Sequence, residues 1–114
     1  MSGKKISIEE WELTSLFASE PHKLDVDCSW FYNTLTYIFR SGCWHVEFTV
    51  SPSYKTTSFV VRNEGRTCFE FARMEIDDIR FLTDPEGLAI ALLDGPVLSL
   101  YLEPLPFVRF GVDQ

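Results

Sequence analysis

Apolar and polar residues alternate along much of the chain. Leu35, Tyr37 and Phe39 alternate with Thr34, Thr36 and Ile38. After Arg40-Ser41-Gly42 the alternation resumes, with Trp44, Val46, Phe48 and Val50 set against His45, Glu47 and Thr49. Two runs of period two around a short Gly-containing break predict an antiparallel hairpin with one apolar face per strand. A second hairpin follows Ser51-Pro52-Ser53. Residues 57–62 are β-branched and aromatic, Asn63-Glu64-Gly65 is its turn, and Thr67, Phe69 and Phe71 alternate with Cys68, Glu70 and Ala72 on the return. Residues 88–93, LAIALL, are apolar on both faces and read as a central strand. Leu98, Leu100 and Leu102 alternate with Ser99, Tyr101 and Glu103. Beyond Pro104 and Pro106, residues 107–112 resume the pattern with Val108, Phe110 and Val112 on one side.

Other segments fit less simply. In residues 7–19, SIEEWELTSLFAS, Ser7 and Glu10 have capping-box spacing, and Glu9, Glu10 and Glu12 suit a helix N-terminus. However, Ile8, Trp11, Leu13, Leu16 and Phe17 spread around most of a helical wheel. Trp11, Leu13 and Phe17 share one face of a strand, so the pattern favours a strand from Trp11 onward. Residues 20–33 read as irregular, because Pro21 interrupts a ladder and Asp25, Asp27 and Ser29 are turn formers. In residues 75–82, Ile76, Ile79 and Phe81 satisfy neither period. Asp84-Pro85-Glu86-Gly87 has the composition of a type I turn, and Asp94-Gly95-Pro96 reverses the chain again. The whole predicts a mainly β fold in a single domain over residues 1–114. It is an antiparallel sandwich or small barrel of about seven to nine short strands, with at most one or two short helices.

Composition narrows the function. Apolar residues make up 46% of the 114, enough for a packed core and too many for a disordered chain. The net charge is −7, and residues 75–114 hold eight acidic groups against two basic ones. Lys4-Lys5 is the nearest thing to a basic cluster, so direct binding to nucleic acid or to an anionic membrane is disfavoured, and a basic protein partner is allowed. No apolar run follows the lysines as a signal peptide requires, and the longest apolar run is far too short to span a bilayer. Cys28, Cys43 and Cys68 show no framework spacing. A cytoplasmic protein with free, mostly buried thiols is expected.

Candidate chemistry is sparse. Cys43 and His45 are two apart, which on a strand places both on one face, but structural zinc needs four ligands and Cys28, Cys68 and His22 are scattered. No metal site is expected. A Cys–His nucleophile would lack the positive environment that lowers a thiol pKa. Carboxylate pairs such as Asp25 with Asp27 and Glu75 with Asp77 arise readily by chance among 17 acidic residues. There is no GxSxG, GxxxxGK or GxGxxG, so no cofactor is expected. Trp30-Phe31-Tyr32 is the most unusual local feature. Three consecutive aromatics cannot all face into one sheet, so they either plug one end of the fold or expose a ring beside Asp25 and Asp27.

In type, being small, acidic, β-rich and free of motifs, the chain resembles bacterial immunity proteins, which neutralise a co-expressed toxin by binding it. No particular residue carries that resemblance. It implies a non-enzymatic binding module, with Trp30 and Tyr32 as anchors and Asp77, Asp78, Asp84 and Glu86, together with Asp94, steering a basic partner. Two alternatives compete with it. One is a β-barrel or sandwich that holds a hydrophobic ligand inside. The other is an enzyme of another type, using scattered carboxylates or a Cys–His pair. A homo-oligomer is compatible with all three.

Overall fold

A computed structural model describes residues 6–93, 95–103 and 105–112. Lys4-Lys5, Asp94, Pro104 and the side chain of Val112 lie outside the described residues. Within them the chain forms one helix, α1 (Glu10–Phe17), and eight strands. These are β1 (His22–Lys23), β2 (Leu35–Ser41), β3 (Trp44–Ser51), β4 (Thr56–Asn63), β5 (Arg66–Leu82), β6 (Gly87–Leu92), β7 (Pro96–Tyr101) and β8 (Phe107–Val112). All pair antiparallel in chain order, giving one open sheet with β1 and β8 at its edges. The mainly β, antiparallel reading with a single short helix holds.

The predicted hairpins set the register. Leu35, Tyr37 and Phe39 oppose Val50, Phe48 and Val46, and Phe48 and Val46 oppose Phe59 and Val61. One face of β2–β4 is therefore mainly apolar, with Thr57 opposite Val50, and most of it is fully buried. Between Asn63 and Arg66 the turn residues Glu64 and Gly65 both have positive φ, 54° and 80°. That is the backbone of the two-residue turn whose twist matches the strands.

Residues 7–19 correct the strand expectation. Glu10–Phe17 is helical, and Leu13, Leu16 and Phe17 are buried while Trp11 is 66% exposed. A helix turns about 100° per residue, so Leu13 and Phe17 share a face and Trp11 stands opposite them. The cap is also displaced: Glu12 accepts from the Glu9 N–H at 3.0 Å, making Glu9 the N-cap in place of Ser7. Phe17 packs against Tyr37 and Phe48 with ring centroids 5.5 and 5.8 Å away.

β5 is seventeen residues long and changes neighbour midway. Arg66–Glu75 pairs with β4 and Ile76–Leu82 with β6. At the exchange, Ile76 N–H donates to Lys55 O (2.9 Å) and Leu93 N–H to Glu75 O (3.4 Å). The edge of β5 that β4 leaves free is taken by the residues before α1. Ile8 N–H donates to Ile79 O (2.8 Å), and Ser7 binds the Asp78 carboxylate through its N–H (2.6 Å) and hydroxyl (2.7 Å). Ile6 and Ile8 are buried there, in one cluster that draws on α1 and both halves of the sheet.

In the last strands, Leu98, Leu100 and Leu102 are buried as expected. Tyr101 points the other way yet is also buried, because its ring lies across Gly87. A Cβ on Gly87 would stand 2.6 Å from Leu100 O and 2.7 Å from the Tyr101 ring. Tyr101 in turn stacks on Phe107 at 4.8 Å. Phe110 lies opposite Leu98 but is 67% exposed, because the core ends beneath β7 and β8 is an edge. Two substitutions test this packing by chemical denaturation. Leu100→Ala should destabilise the fold by about 2–5 kcal/mol. Gly87→Ala should cost about 1–3 kcal/mol through overpacking against Tyr101, although it adds one methyl group.

Candidate partner-binding surface

Two loops at one end of the β1–β5 half expose large apolar side chains close together. In the β1–β2 loop Leu24, Val26 and Tyr32 are 78%, 79% and 68% exposed, and in the β3–β4 loop Tyr54 is 74% exposed. The loops are joined by Ser53 N–H donating to Phe31 O at 3.0 Å. Buried Asn33 holds the first loop in shape. Its amide nitrogen donates to Asp25 O (2.7 Å) and Cys28 O (3.1 Å), and its oxygen accepts from the N–H groups of Asp25 (3.1 Å) and Thr34 (2.9 Å). Those four bonds fill the amide's capacity. The Asp25 carboxylate accepts from the Asp27 N–H (3.0 Å), a local turn that Asp and Asn side chains favour.

The helix extends this surface. A depression of about 430 Å³ between Glu9, Glu10 and residues 29–31 joins a second of about 520 Å³ between Glu9, Glu10, Trp11 and Glu20. The two depressions share Glu9 and Glu10, and the first reaches Phe31, whose carbonyl is bonded to Ser53 of the second loop. Residues 6–33 carry six carboxylates (Glu9, Glu10, Glu12, Glu20, Asp25 and Asp27) and one ammonium, Lys23. Aromatic side chains with acidic neighbours can give anchors and attraction to a basic protein.

The residues expected from the sequence are distributed unevenly over this geometry. Tyr32 lies on this surface, its ring edge-on to Phe31 at 4.9 Å. Trp30 is half-buried beneath it, and its indole N–H donates to the Tyr37 hydroxyl at 3.0 Å. Asp78 is engaged by Ser7 and by the Ile79 N–H. Asp77 is exposed where β5 changes neighbour. Asp84 and Glu86 are exposed in the β5–β6 turn, about 20 Å further along at the usual strand rise. They do not form one face with Asp77. Trp11, Glu9 and Glu10, which line the depressions beside α1, are not among the residues expected from the sequence, because a strand sets Trp11 on one face with Leu13 and Phe17.

Cys43 lies in the β2–β3 turn rather than beside His45 on a strand, with its Sγ 3.6 Å from Glu64 Oε2. His45 lies on the outer face of the sheet, accepting from Arg40 Nε at 3.2 Å and contacting Glu47 Oε2 at 2.9 Å. Glu47 is also 3.7 Å from Arg62. The thiols are less buried than expected: Cys28 is half-buried, and Cys43 and Cys68 are exposed, in a turn and beside a register shift in β5. Among the described residues no three His, Cys, Asp or Glu side chains converge as metal ligands. No described helix is long and apolar enough to cross a membrane.

No protein-family model matches the chain, and no curated protein matches it. Among solved structures, it is similar to a chain of the contact-dependent growth inhibition toxin–immunity protein complex from Klebsiella pneumoniae 342. The match has 17% identity and a TM-score of 0.68, and covers 91% of this chain and 93% of that one. The likeness is one of fold.

Beneath the candidate surface, Tyr37 is fully buried. Burial pushes its hydroxyl up to about 12 from the usual 10. Hydrogen bonds with Trp30 and Thr14 act the other way, and Glu10 and Glu20 add to the rise. The unfolded chain therefore loses this proton before the folded one as pH rises. The stabilisation is complete below about pH 10 and is lost as pH climbs through about 12. Denaturation midpoints across that window should fall more steeply for the native protein than for Tyr37→Phe. Parallel curves would show that Tyr37 titrates normally.

Proposed function

We propose that the protein is a non-enzymatic binding module of the immunity type, which neutralises a basic toxin by docking on it. The observation that carries this reading is the likeness of fold, over nine-tenths of both chains, to a chain from a toxin–immunity protein complex. The docking surface runs from Trp11 to Tyr54. Trp11 and Tyr32 are its anchors, since large, rigid aromatic rings dominate binding energy at protein interfaces. Glu9, Glu10, Asp25 and Asp27 attract the partner at close range. Asp77, Asp84 and Glu86 add to the long-range field without forming one patch. Trp30 and Asp78 act beneath the surface, holding the platform that presents the anchors.

This division of labour has distinct kinetic signatures against the basic toxin. Its association rate should fall as salt rises, because attraction between exposed charges is screened beyond about 10 Å at 0.1 M salt. Reversing Glu10 and Asp27 to lysine should lower the on-rate more than it raises the off-rate. Trp11→Ala or Tyr32→Ala should raise the off-rate by the equivalent of about 2 kcal/mol or more, with the melting temperature unchanged. Surface plasmon resonance at several salt concentrations separates these effects. A toxin that neither binds the protein nor loses activity in its presence would sink the proposal.

A further inference from the structure

On the outer face of β3–β5 lies a depression of about 320 Å³ between Leu24, Tyr54 and a row of hydroxyl side chains. Its one charged lining residue is Arg73. The β4–β5 register passes from Thr57↔Met74 to Phe59↔Phe71, so Ser58 faces two residues, Ala72 and Arg73. Such a bulge interrupts strand alternation and re-aims a side chain. Here Arg73 lines the outer-face depression. Among the described residues no carboxylate pairs with it. In the adjoining depression of about 400 Å³, Glu47 is engaged by His45 and Arg62, while Glu70 is the remaining carboxylate. Thr34 is bonded to Ser51 and Thr57 to the Thr49 carbonyl, which leaves the hydroxyls of Thr56 and Ser58 as donors beside Arg73.

We propose that this depression receives a carboxylate side chain of the protein partner. The inference rests on the immunity reading, because Leu24 and Tyr54 belong both to the docking surface and to the walls of the depression. A planar guanidinium matches a carboxylate with two parallel hydrogen bonds, and neighbouring hydroxyls supply further donors. A phosphate would bring a second negative charge, and the depression has one cation to meet it. An arginine at the rim of an acidic surface also gives selectivity. It favours a partner that sets an Asp or Glu among its basic groups and disfavours one that presents only cations.

The site is testable without the toxin. In an NMR titration of the full chain with acetate at constant ionic strength, saturable amide shifts should centre on Thr56, Ser58 and Arg73. Arg73→Gln should weaken acetate binding by about tenfold, as the loss of one charge-assisted pair implies, and Arg73→Lys should recover part of it. Inorganic phosphate and chloride should produce smaller shifts there. No saturable acetate response, or an equal response to all three anions, would overturn the site. That failure would leave the immunity reading standing. A toxin that does not bind the unaltered protein overturns that reading, and with it the role of Arg73 in docking. In the toxin complex, Arg73→Gln should raise the off-rate at unchanged melting temperature, and an unchanged off-rate would also overturn the role.

Discussion

A strand of seventeen residues cannot keep one pair of neighbours in a sheet whose other strands span two to eight. β5 resolves this by exchanging β4 for β6 at residues 75–76, and most of the molecule's organisation depends on that exchange. It leaves unpaired backbone on one edge of the strand's second half. Buried N–H and carbonyl groups without partners are costly, so the edge has to be covered. Ser7 and Ile8 cover it, with the Asp78 carboxylate fixing Ser7 at two points. The clasp sets where the chain enters α1. α1 then closes the apolar face of β2–β4 through Leu13, Leu16 and Phe17.

The candidate surface is a consequence of this path. Because α1 starts beside the clasp, Glu9 and Glu10 come to face residues 29–31 across one depression. The Phe31 carbonyl is bonded to Ser53, so the second loop is carried to the same place. Neither loop need be ordered by a partner, since Asn33 already satisfies the backbone of the first. A surface built on fixed loops loses less conformational entropy when it is covered. Trp30 contributes from below: its bond to Tyr37 ties the aromatic run to the core and leaves Tyr32 at the surface.

The strands were legible in the sequence wherever one face is buried and alternation is unbroken. This holds for β2, β3 and β7, while β4 was legible from its β-branched and aromatic residues and β6 from an apolar run buried on both faces. Legibility fails where a register shift intervenes. Ile76 and Ile79 are both buried but three residues apart, a spacing that neither a regular strand nor their neighbours explain. The shift between Ile76 and Asp78 leaves Asp77 as an extra residue and restores the face. The helix failed for a different reason. A strand from Trp11 onward sets Trp11 on one face with Leu13 and Phe17, whereas the helix turns Leu13, Leu16 and Phe17 inward and Trp11 outward. The strand reading also kept Trp11 out of the exposed aromatic residues expected from the sequence.

Charge shows most clearly why position along the chain misleads. By sequence, the acidic excess lies in residues 75–114. In three dimensions Asp78 is occupied by Ser7, and Asp77 lies far from Asp84 and Glu86, so part of that excess is structural and the rest is dispersed. Residues 6–33 hold fewer carboxylates, but α1 and the β1–β2 loop set them beside exposed Trp11 and Tyr32. Dispersed charges act together only at distances where the partner sees the whole molecule, and salt weakens them there. Grouped charges continue to act at contact, where the aromatic rings exclude water and strengthen each pairing. The total of −7 therefore says little about where carboxylates and exposed rings meet, which is around α1 and the β1–β2 loop.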